Sequence, residues 1–344
     1  MVIGLDLILA TRPGATTGIE RYALNLFEAL RTVAPDTIGF VDSATNLIDG
    51  PGVVRVKGGL GGWLSLPTTA AFRQHRPNIL LCPAFPPSPL MLASGVPIAR
   101  IIHDDFPWTR TKTLNFRGRA LFKYFETLAA SRYKLIYAPT DLMARALSTI
   151  LGRDVMAIGN APGIDLNKAP VQGVQRPQIV AVGTIEPRKN YTALVSMLSK
   201  LPPEWSLAVI GRKGWGPIAS DWDAQVAQSN ARLIWYGHAS DQHLLALYRE
   251  SACFVSMSFA EGFNMPLVEA GSLGLPVVVS DIEIHRSVAP PWARFVPLSA
   301  TPEVLAQAVS DAAAITIIPA DVEAYRRMFS WEKIAKDLKS RLPL

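Results

Sequence analysis

The feature that most constrains this chain is an alternation. Short apolar runs are separated by longer segments whose apolar positions recur with helical period. Parallel strands need a long crossover, usually a helix, so the pattern predicts parallel α/β layers. In the first half, strands are expected near 2–9, 37–41, 53–56, 79–82, 97–102, 135–138 and 155–158, with helices near 18–33, 64–74, 115–131 and 141–151. The second half repeats the arrangement, with strands near 179–183, 206–211, 232–236, 253–256, 277–280 and 294–297. Its helices are expected near 190–200, 241–250, 266–273 and 302–314, followed by a terminal pair at 321–329 and 331–342. Residues 165–177 are polar, aperiodic and punctuated by Pro and Gly, and make the best linker. A length of 344 residues suits two domains. Doubly wound sheets hold ligands beyond the carboxyl ends of their strands, so chemistry is sought on the loops that follow strands.

Composition narrows the class. A chain 49% hydrophobic and 18% charged builds large cores, which excludes disorder and fibrous repeats. Two cysteines, Cys82 and Cys253, in separate apolar runs exclude a disulfide scaffold or a zinc cluster and suit a reducing cytoplasm. No basic leader followed by an apolar stretch opens the sequence, and no apolar run reaches the ~18–20 residues of a membrane span. The expectation is a cytoplasmic protein whose membrane contact is peripheral. Net charge is +6, and it is uneven: residues 1–165 hold 17 Lys and Arg against 12 Asp and Glu, residues 166–344 hold 17 against 16. The first half is thus suited to an anionic partner such as a phosphate or a lipid surface.

Three strand-end loops carry the chemistry. After the run 253–256 comes Ser258-Phe259-Ala260-Glu261-Gly262-Phe263-Asn264-Met265-Pro266, leading into a helix that Pro266 can start. Amides at a helix amino terminus favour anions or sugar oxygens. Glu261 and Glu269 flank this junction, where each could grip a hydroxylated ligand; the plain alternative is a solvated loop carboxylate and a helix-dipole charge. The second loop, Gly183-Thr184-Ile185-Glu186-Pro187-Arg188-Lys189-Asn190, sets two cations at another helix start, a site for a diphosphate or simply an exposed basic turn. The third, Gly211-Arg212-Lys213-Gly214-Trp215, adds two cations and an aromatic.

With these residues in view, the chain resembles the retaining nucleotide-sugar glycosyltransferases of family 4, which have the GT-B fold. The resemblance rests on Glu261 and Glu269 with seven residues between them, on Gly183 with Glu186-Pro187-Arg188-Lys189-Asn190, and on Gly211-Arg212-Lys213-Gly214-Trp215. It continues through Gly274-Leu275-Pro276 up to Asp281, the closing Phe329-Ser330-Trp331-Glu332, and Gly18-Ile19-Glu20-Arg21-Tyr22 and Ile102-His103-Asp104 in the first half. It implies two Rossmann-like doubly wound α/β domains facing a central cleft: an acceptor-binding domain at 1–168, a nucleotide-sugar-binding domain at 177–320, and helices at 321–344 crossing back to the first.

The resemblance also implies roles. Glu269 would hold the ribose hydroxyls. Glu261, with the amides of Gly262, Phe263, Asn264 and Met265, would grip the transferred sugar. Lys189 and Arg188 would neutralise the leaving diphosphate, with Gly183, Arg212 and Lys213 on the donor side. His238 would edge the base, the loop ending at Gly18 would close on the phosphates, and His103 would line the anomeric face. Read from the residues rather than the resemblance, Asp104 and Asp105 could lie on the acceptor side, with Asp105 as an acid/base partner or simply a strand-end cap. No metal or cofactor is implied: the donor is a nucleoside-diphosphate hexose, GDP-mannose first and dTDP-rhamnose second. The acceptor would be a saccharide or polyprenyl-diphosphate-linked saccharide of a bacterial surface polysaccharide. Two alternatives stay open, a catalytically silent sugar-binding partner of an assembly complex and a nucleotide-sugar epimerase on the same fold.

Several positions depart from the family's pattern. Thr184 stands where many relatives carry Arg, Asn264 replaces a usual glycine, Gly271 stands where a larger apolar residue is common, and no Pro-Glu pair follows Asp281. These bear on donor identity more than on fold. Of the remaining motifs, Asp221-Trp222-Asp223 has metal-motif spacing but lies in a helix-like polar segment, so a solvated helix face is expected. The glycines at 58, 59, 61 and 62 read as a flexible loop. Residues 110–134 hold seven cations (Arg110, Lys112, Arg117, Arg119, Lys123, Arg132, Lys134) against Glu126, interleaved with aromatics. Such a stretch can lie on an anionic leaflet or be an ordinary helix with wet cations. Nucleic acid is not expected, since no recognition motif is present.

Overall fold

The computed structural model describes residues 2–14, 17–110, 120–169 and 176–342. The chain divides into two compact units, Met1–Ala161 with Ser330–Leu344, and Pro162–Phe329. The division therefore falls a few residues before the expected linker, and of the terminal helices only the last belongs with the first unit.

In the first unit seven strands form one sheet: β1 (Ile3–Asp6), β2 (Ile38–Asp42), β3 (Val53–Val56), β4 (Ile79–Cys82), β5 (Ile98–Ile101), β6 (Leu135–Ala138) and β7 (Met156–Ala157). Their order is β3-β2-β1-β4-β5-β6-β7, every pairing is parallel, and Leu5 lies opposite both Gly39 and Leu81. The middle strands are buried on both faces, which is why they read as unbroken apolar runs. The helix Gly18–Val33 starts with a capping box between Thr17 and Glu20 and buries Tyr22, Leu26, Phe27 and Leu30. The last helix, Trp331–Arg341, packs along it, with Trp331 edge-on to Tyr22 at 5.1 Å.

Local chemistry explains where helices differ from expectation. The single helix expected at 64–74 is broken at Pro67 into Leu60–Ser65, a 3-10 turn Leu66–Thr68, and Ala70–His75, whose start Thr69 caps at 3.1 Å from the Phe72 amide. The glycines at 61 and 62 lie inside the first of these helices, so that part of the run is not a loop. Within 110–134, the described part is a π-helical turn Ala120–Phe125 followed by Glu126–Ala130; residues 111–119 lie outside the described residues. Glu126 is buried against Arg100 and Tyr133, with the Arg100 Nε 3.0 Å from Oε1 and the Tyr133 hydroxyl donating at 2.8 Å.

The second unit carries six strands: β8 (Arg176–Val182), β9 (Ser206–Ile210), β10 (Leu233–Gly237), β11 (Ser251–Ser256), β12 (Val277–Ser280) and β13 (Arg294–Val296). The order is β10-β9-β8-β11-β12-β13, again all parallel, with Val180 opposite both Ala208 and Phe254. Helices Tyr191–Leu198 and Pro302–Ala313 cover one face around Trp222, Met197 and Val309. An aromatic ladder closes the end of the unit: Phe263 on Phe329 at 5.9 Å, Phe329 on Tyr325 at 5.1 Å, and Tyr325 on Trp292 at 5.8 Å. Gly271 faces this ladder, and a Cβ there would lie 2.7 Å from the Tyr325 ring, which explains its smallness.

Candidate functional site

The order of the second sheet reverses between β8 and β11. The chain runs outward from β8 through β9 to β10, then restarts at β11 and runs the other way. Loops leaving the carboxyl ends of such a strand pair diverge and leave a crevice. Those loops are 183–190 and 257–264, the two that the sequence singled out. The first turns through a 3-10 helix, Pro187–Lys189, and Asn190 in a left-handed conformation. It is tied to the second by the Phe259 amide donating to the Arg188 carbonyl at 2.8 Å. Gly211, after β9, comes so close that a Cβ there would lie 1.9 Å from the Gly183 oxygen; only glycine fits.

Glu261 is the centre of the site. Its Oε2 accepts from Arg188 at 2.6 Å, and its Oε1 accepts from Lys189 at 2.7 Å and from the Ser258 hydroxyl at 2.6 Å. Arg188 is held from its other side by Glu186 at 2.6 Å and also donates to the Ala260 carbonyl at 2.9 Å. Burial alone would raise the Glu261 carboxyl, but Arg188 and Lys189 overcome it and hold the group well below the carboxylate range. Burial lowers the Lys189 ammonium, with Glu261 opposing. The result is a cluster of two buried acids and two half-buried bases at the start of the helix Met265–Ser272.

Behind Glu261 the residue that begins that helix, Asn264, is left-handed at φ 75°. Its Nδ2 lies 3.0 Å from the Ser256 hydroxyl and 2.9 Å from Nε2 of His285, which is wholly buried. Glu269 sits within the helix, buried, with Oε1 accepting from the Gly163 amide at 2.9 Å and Oε2 from the Tyr248 hydroxyl at 3.0 Å.

The third loop is tied to the first by the Ile185 amide, which donates to the Arg212 carbonyl at 2.9 Å. Lys213 pairs with Asp223 and lies 5.2 Å over the Trp235 ring, and Arg212 and His238 are exposed. Asp223 is on the helix Trp222–Gln228, with Trp222 fully buried, and among the described residues no cluster of three or more His, Cys, Asp or Glu could hold a metal.

The remaining candidates belong to the first unit. Gly18 opens its helix. Nε2 of His103 lies 2.6 Å from the Pro83 carbonyl, so it carries the hydrogen and Nδ1 is left as an acceptor. Burial pushes this imidazole down to about 4, so it is neutral at pH 7; its ring stands edge-on to Tyr22 at 4.6 Å. Asp104 accepts from the Phe106 amide at 3.2 Å, and Asp105 precedes the short helix Phe106–Thr109.

A sequence model of the family described as glycosyl transferases group 1 matches residues 166–325, the stretch that contains this site. The matched stretch, a little under half of the chain, is similar to a group 1 glycosyl transferase domain. Among curated relatives, the serotype-specific mannosyltransferase WbdA of Escherichia coli is 30% identical over 173 residues, 49% of this chain and 21% of WbdA. O-antigen chain mannosyltransferase B of the same organism is 32% identical over 163 residues, 45% of this chain and 38% of that protein. The chain therefore matches well under half the length of either. The fold is also that of Anabaena HepE, solved in complex with UDP and glucose, with a TM-score of 0.72, 16% identity and 99% of both chains covered. The two parallel sheets match the GT-B arrangement.

Within the matched stretch, four residues that touch the site were given no role from sequence: Glu186 and Ser258, though both lie in the quoted motifs, and Tyr248 and His285. Glu186 had a local signal, since two positions separate it from Arg188 in an extended turn. His285 is a lone histidine in a mixed polar and apolar stretch, with no local cue that it meets Asn264, 21 positions away.

Proposed function

We propose that the protein is a retaining, metal-independent hexosyltransferase acting in bacterial surface polysaccharide synthesis. It moves a hexose, mannose first and rhamnose second, from a nucleoside diphosphate to a saccharide or polyprenyl-diphosphate-linked saccharide. The observation that carries this reading is the Glu261 cluster: one carboxylate and two cations where two strand-end loops converge on a helix start, inside the matched domain. Breaking a glycosyl–phosphate bond develops negative charge on the diphosphate, and fixed cations and amides aimed there stabilise it without reorganising. Arg188 and Lys189 supply that charge, while Glu261 and the amides of 262–265 hold sugar oxygens and Glu269 the ribose. His103, neutral with Nδ1 accepting, is suited to a sugar hydroxyl rather than to a cationic role. Retention comes from the family resemblance, with the leaving phosphate helping to deprotonate the acceptor. The mannosyltransferase names of the two relatives favour mannose, and the UDP and glucose bound to HepE keep UDP-glucose as the rival donor.

A lipid-linked acceptor brings the protein to the cytoplasmic face of a membrane. Tyr124 (60% exposed) and Leu128 (76% exposed) lie one turn apart in the segment 110–134, with Arg132 and Lys134 exposed just beyond. That mixture supports peripheral contact, which vesicle co-sedimentation on anionic lipid would register as salt-sensitive binding. No helix among the described residues is long and apolar enough to cross a bilayer.

The test is nucleotide release from GDP-mannose, dTDP-rhamnose and UDP-glucose, with and without EDTA, followed by NMR of the product anomer. GDP release from GDP-mannose, insensitive to EDTA and with the donor's anomeric configuration kept, is the expected result. Release from UDP-glucose alone overturns the donor, and loss with EDTA overturns metal independence. Glu269→Ala should weaken GDP binding and His103→Ala should mainly lower kcat; unchanged values in both would reject the residue roles.

A further inference from the structure

The proposed reaction gives no task to His285, a buried histidine of the second unit. His285, on the helix Glu283–Val288, lies at the back of the donor site and closes a ring of polar contacts around it. We infer that His285 is a positioning residue: it holds the Asn264 side chain, and through it the left-handed turn that presents Glu261 and the neighbouring amides to the donor sugar. This inference rests on the transferase reading above and adds a residue to it.

The hydrogen positions follow from the partners. Nδ1 of His285 lies 2.9 Å from the Ser280 carbonyl, which can only accept, so Nδ1 carries the hydrogen. Nε2 therefore presents a lone pair, and the Asn264 amide nitrogen donates to it at 2.9 Å. The second Nδ2 hydrogen goes to the Ser256 hydroxyl at 3.0 Å. Reversing the Asn264 amide would aim Oδ1 at Nε2 and demand a second ring hydrogen, that is, a buried imidazolium. Burial drives the ring away from that form, with Lys189 adding to it and Glu261 opposing. The amide thus has one orientation, and its Oδ1 meets no partner among the described residues.

Two routes connect this pair to Glu261. The Ser280 hydroxyl, 3.1 Å from Nδ1, donates to the Ser258 carbonyl at 2.6 Å, and the Ser258 hydroxyl donates to Glu261. On the other side, the Ser256 and Ser258 hydroxyls are 3.3 Å apart. The tether has a reason in the backbone. Asn264 is left-handed where the resembled family usually has glycine, and glycine adopts that conformation unaided. An asparagine there is strained unless its side chain is anchored, and His285 with Ser256 supplies the anchor.

A double-mutant cycle tests this, with GDP release from GDP-mannose and from UDP-glucose as the assay and the thermal midpoint as control. His285→Leu should lower kcat by roughly ten- to a hundredfold while changing the donor KM by less than about threefold, because misplacing reacting groups by an ångström acts on the chemical step. His285→Gln, whose amide oxygen can still accept from Asn264, should recover most of that loss. On the Asn264→Gly background, where no side chain needs holding, His285→Leu should cost about threefold or less in kcat, a coupling of the size expected for direct partners. Equal kcat losses on both backgrounds, or a His285→Leu enzyme with wild-type kcat, overturn the inference alone. A wild type that releases no nucleotide from either donor refutes the transferase reading and the positioning role with it.

Discussion

Glu261→Gln keeps the shape of the site and removes its central charge. Three donors converge on the carboxylate within 2.7 Å, and the side chain is only 6% exposed. Breaking a buried ion pair by removing one partner costs about 3–5 kcal/mol. Here Arg188 keeps Glu186 at 2.6 Å, and the glutamine oxygen can still accept one hydrogen bond, so the lower end, about 3 kcal/mol, is expected. At about 2–4 °C per kcal/mol for a unit of this size, Tm should fall by about 6–12 °C. The folded carboxyl lies below its ordinary value of 4.5, so its contribution is complete at neutral pH and is lost only as pH falls below that value. The drop should therefore be the same at pH 6 and pH 8. The effect of nucleotide has the opposite sign. On the proposed reading a diphosphate competes with Glu261 for Arg188 and Lys189; in the variant that competition is gone, although Arg188 keeps Glu186. Differential scanning calorimetry with saturating GDP should show a larger Tm rise for Glu261→Gln than for wild type, while sugar transfer is lost. An unchanged Tm without ligand would mean that the three contacts contribute nothing. A smaller GDP-induced rise would mean that these cations are not the phosphate site.

Two further outcomes test other parts of the molecule. Asp6, at the carboxyl end of β1, is pushed up to about 7 from 3.8 by burial, with the Ile8 amide and Arg100 opposing. The folded state thus holds a proton that the unfolded state gives up, and stability falls as pH rises from about 4 to 7. Asp6→Asn should flatten that slope in Tm against pH, and an unchanged slope would refute the assignment. Gly211→Ala should cost about 3 kcal/mol or more, because its Cβ would sit 1.9 Å from a backbone oxygen at φ 155°, whereas Gly61→Ala, with open space around it inside a helix, should be neutral or mildly stabilising. Equal urea midpoints for the two variants would contradict the close approach of the loops.

The inner strands were legible because parallel strands buried on both faces are continuous apolar runs; 79–82, 135–138 and 277–280 coincide with β4, β6 and β12, and 53–56 with the half-buried edge strand β3. One-turn helices such as Pro89–Leu92, Phe106–Thr109 and Pro217–Ser220 carry no periodicity and were not visible. Glu126 read as the lone acid of a basic surface stretch, and only the fold shows that its partner is Arg100, 26 positions away. In the site, Glu261, Arg188 and Lys189 were legible because each sits in a short strand-end motif. That Arg188 and Lys189 bind Glu261, 72 or 73 positions on, was not. Nor was it legible that Lys213 pairs with Asp223, ten residues further along the chain.

The Tyr325 ring fills the space beside Gly271, and its hydroxyl is anchored on the Val288 carbonyl at 2.5 Å. Position 271 belongs to the helix that follows Glu261, and position 325 lies near the end of the unit. The two can change only together: a bulkier residue at 271 requires a smaller one at 325, and a smaller one at 325 leaves a void unless 271 grows. A chimera that exchanges the segment around 319–329 between relatives without exchanging the helix around 265–272 would carry either a clash or a hole a few residues from the loop that holds Glu261.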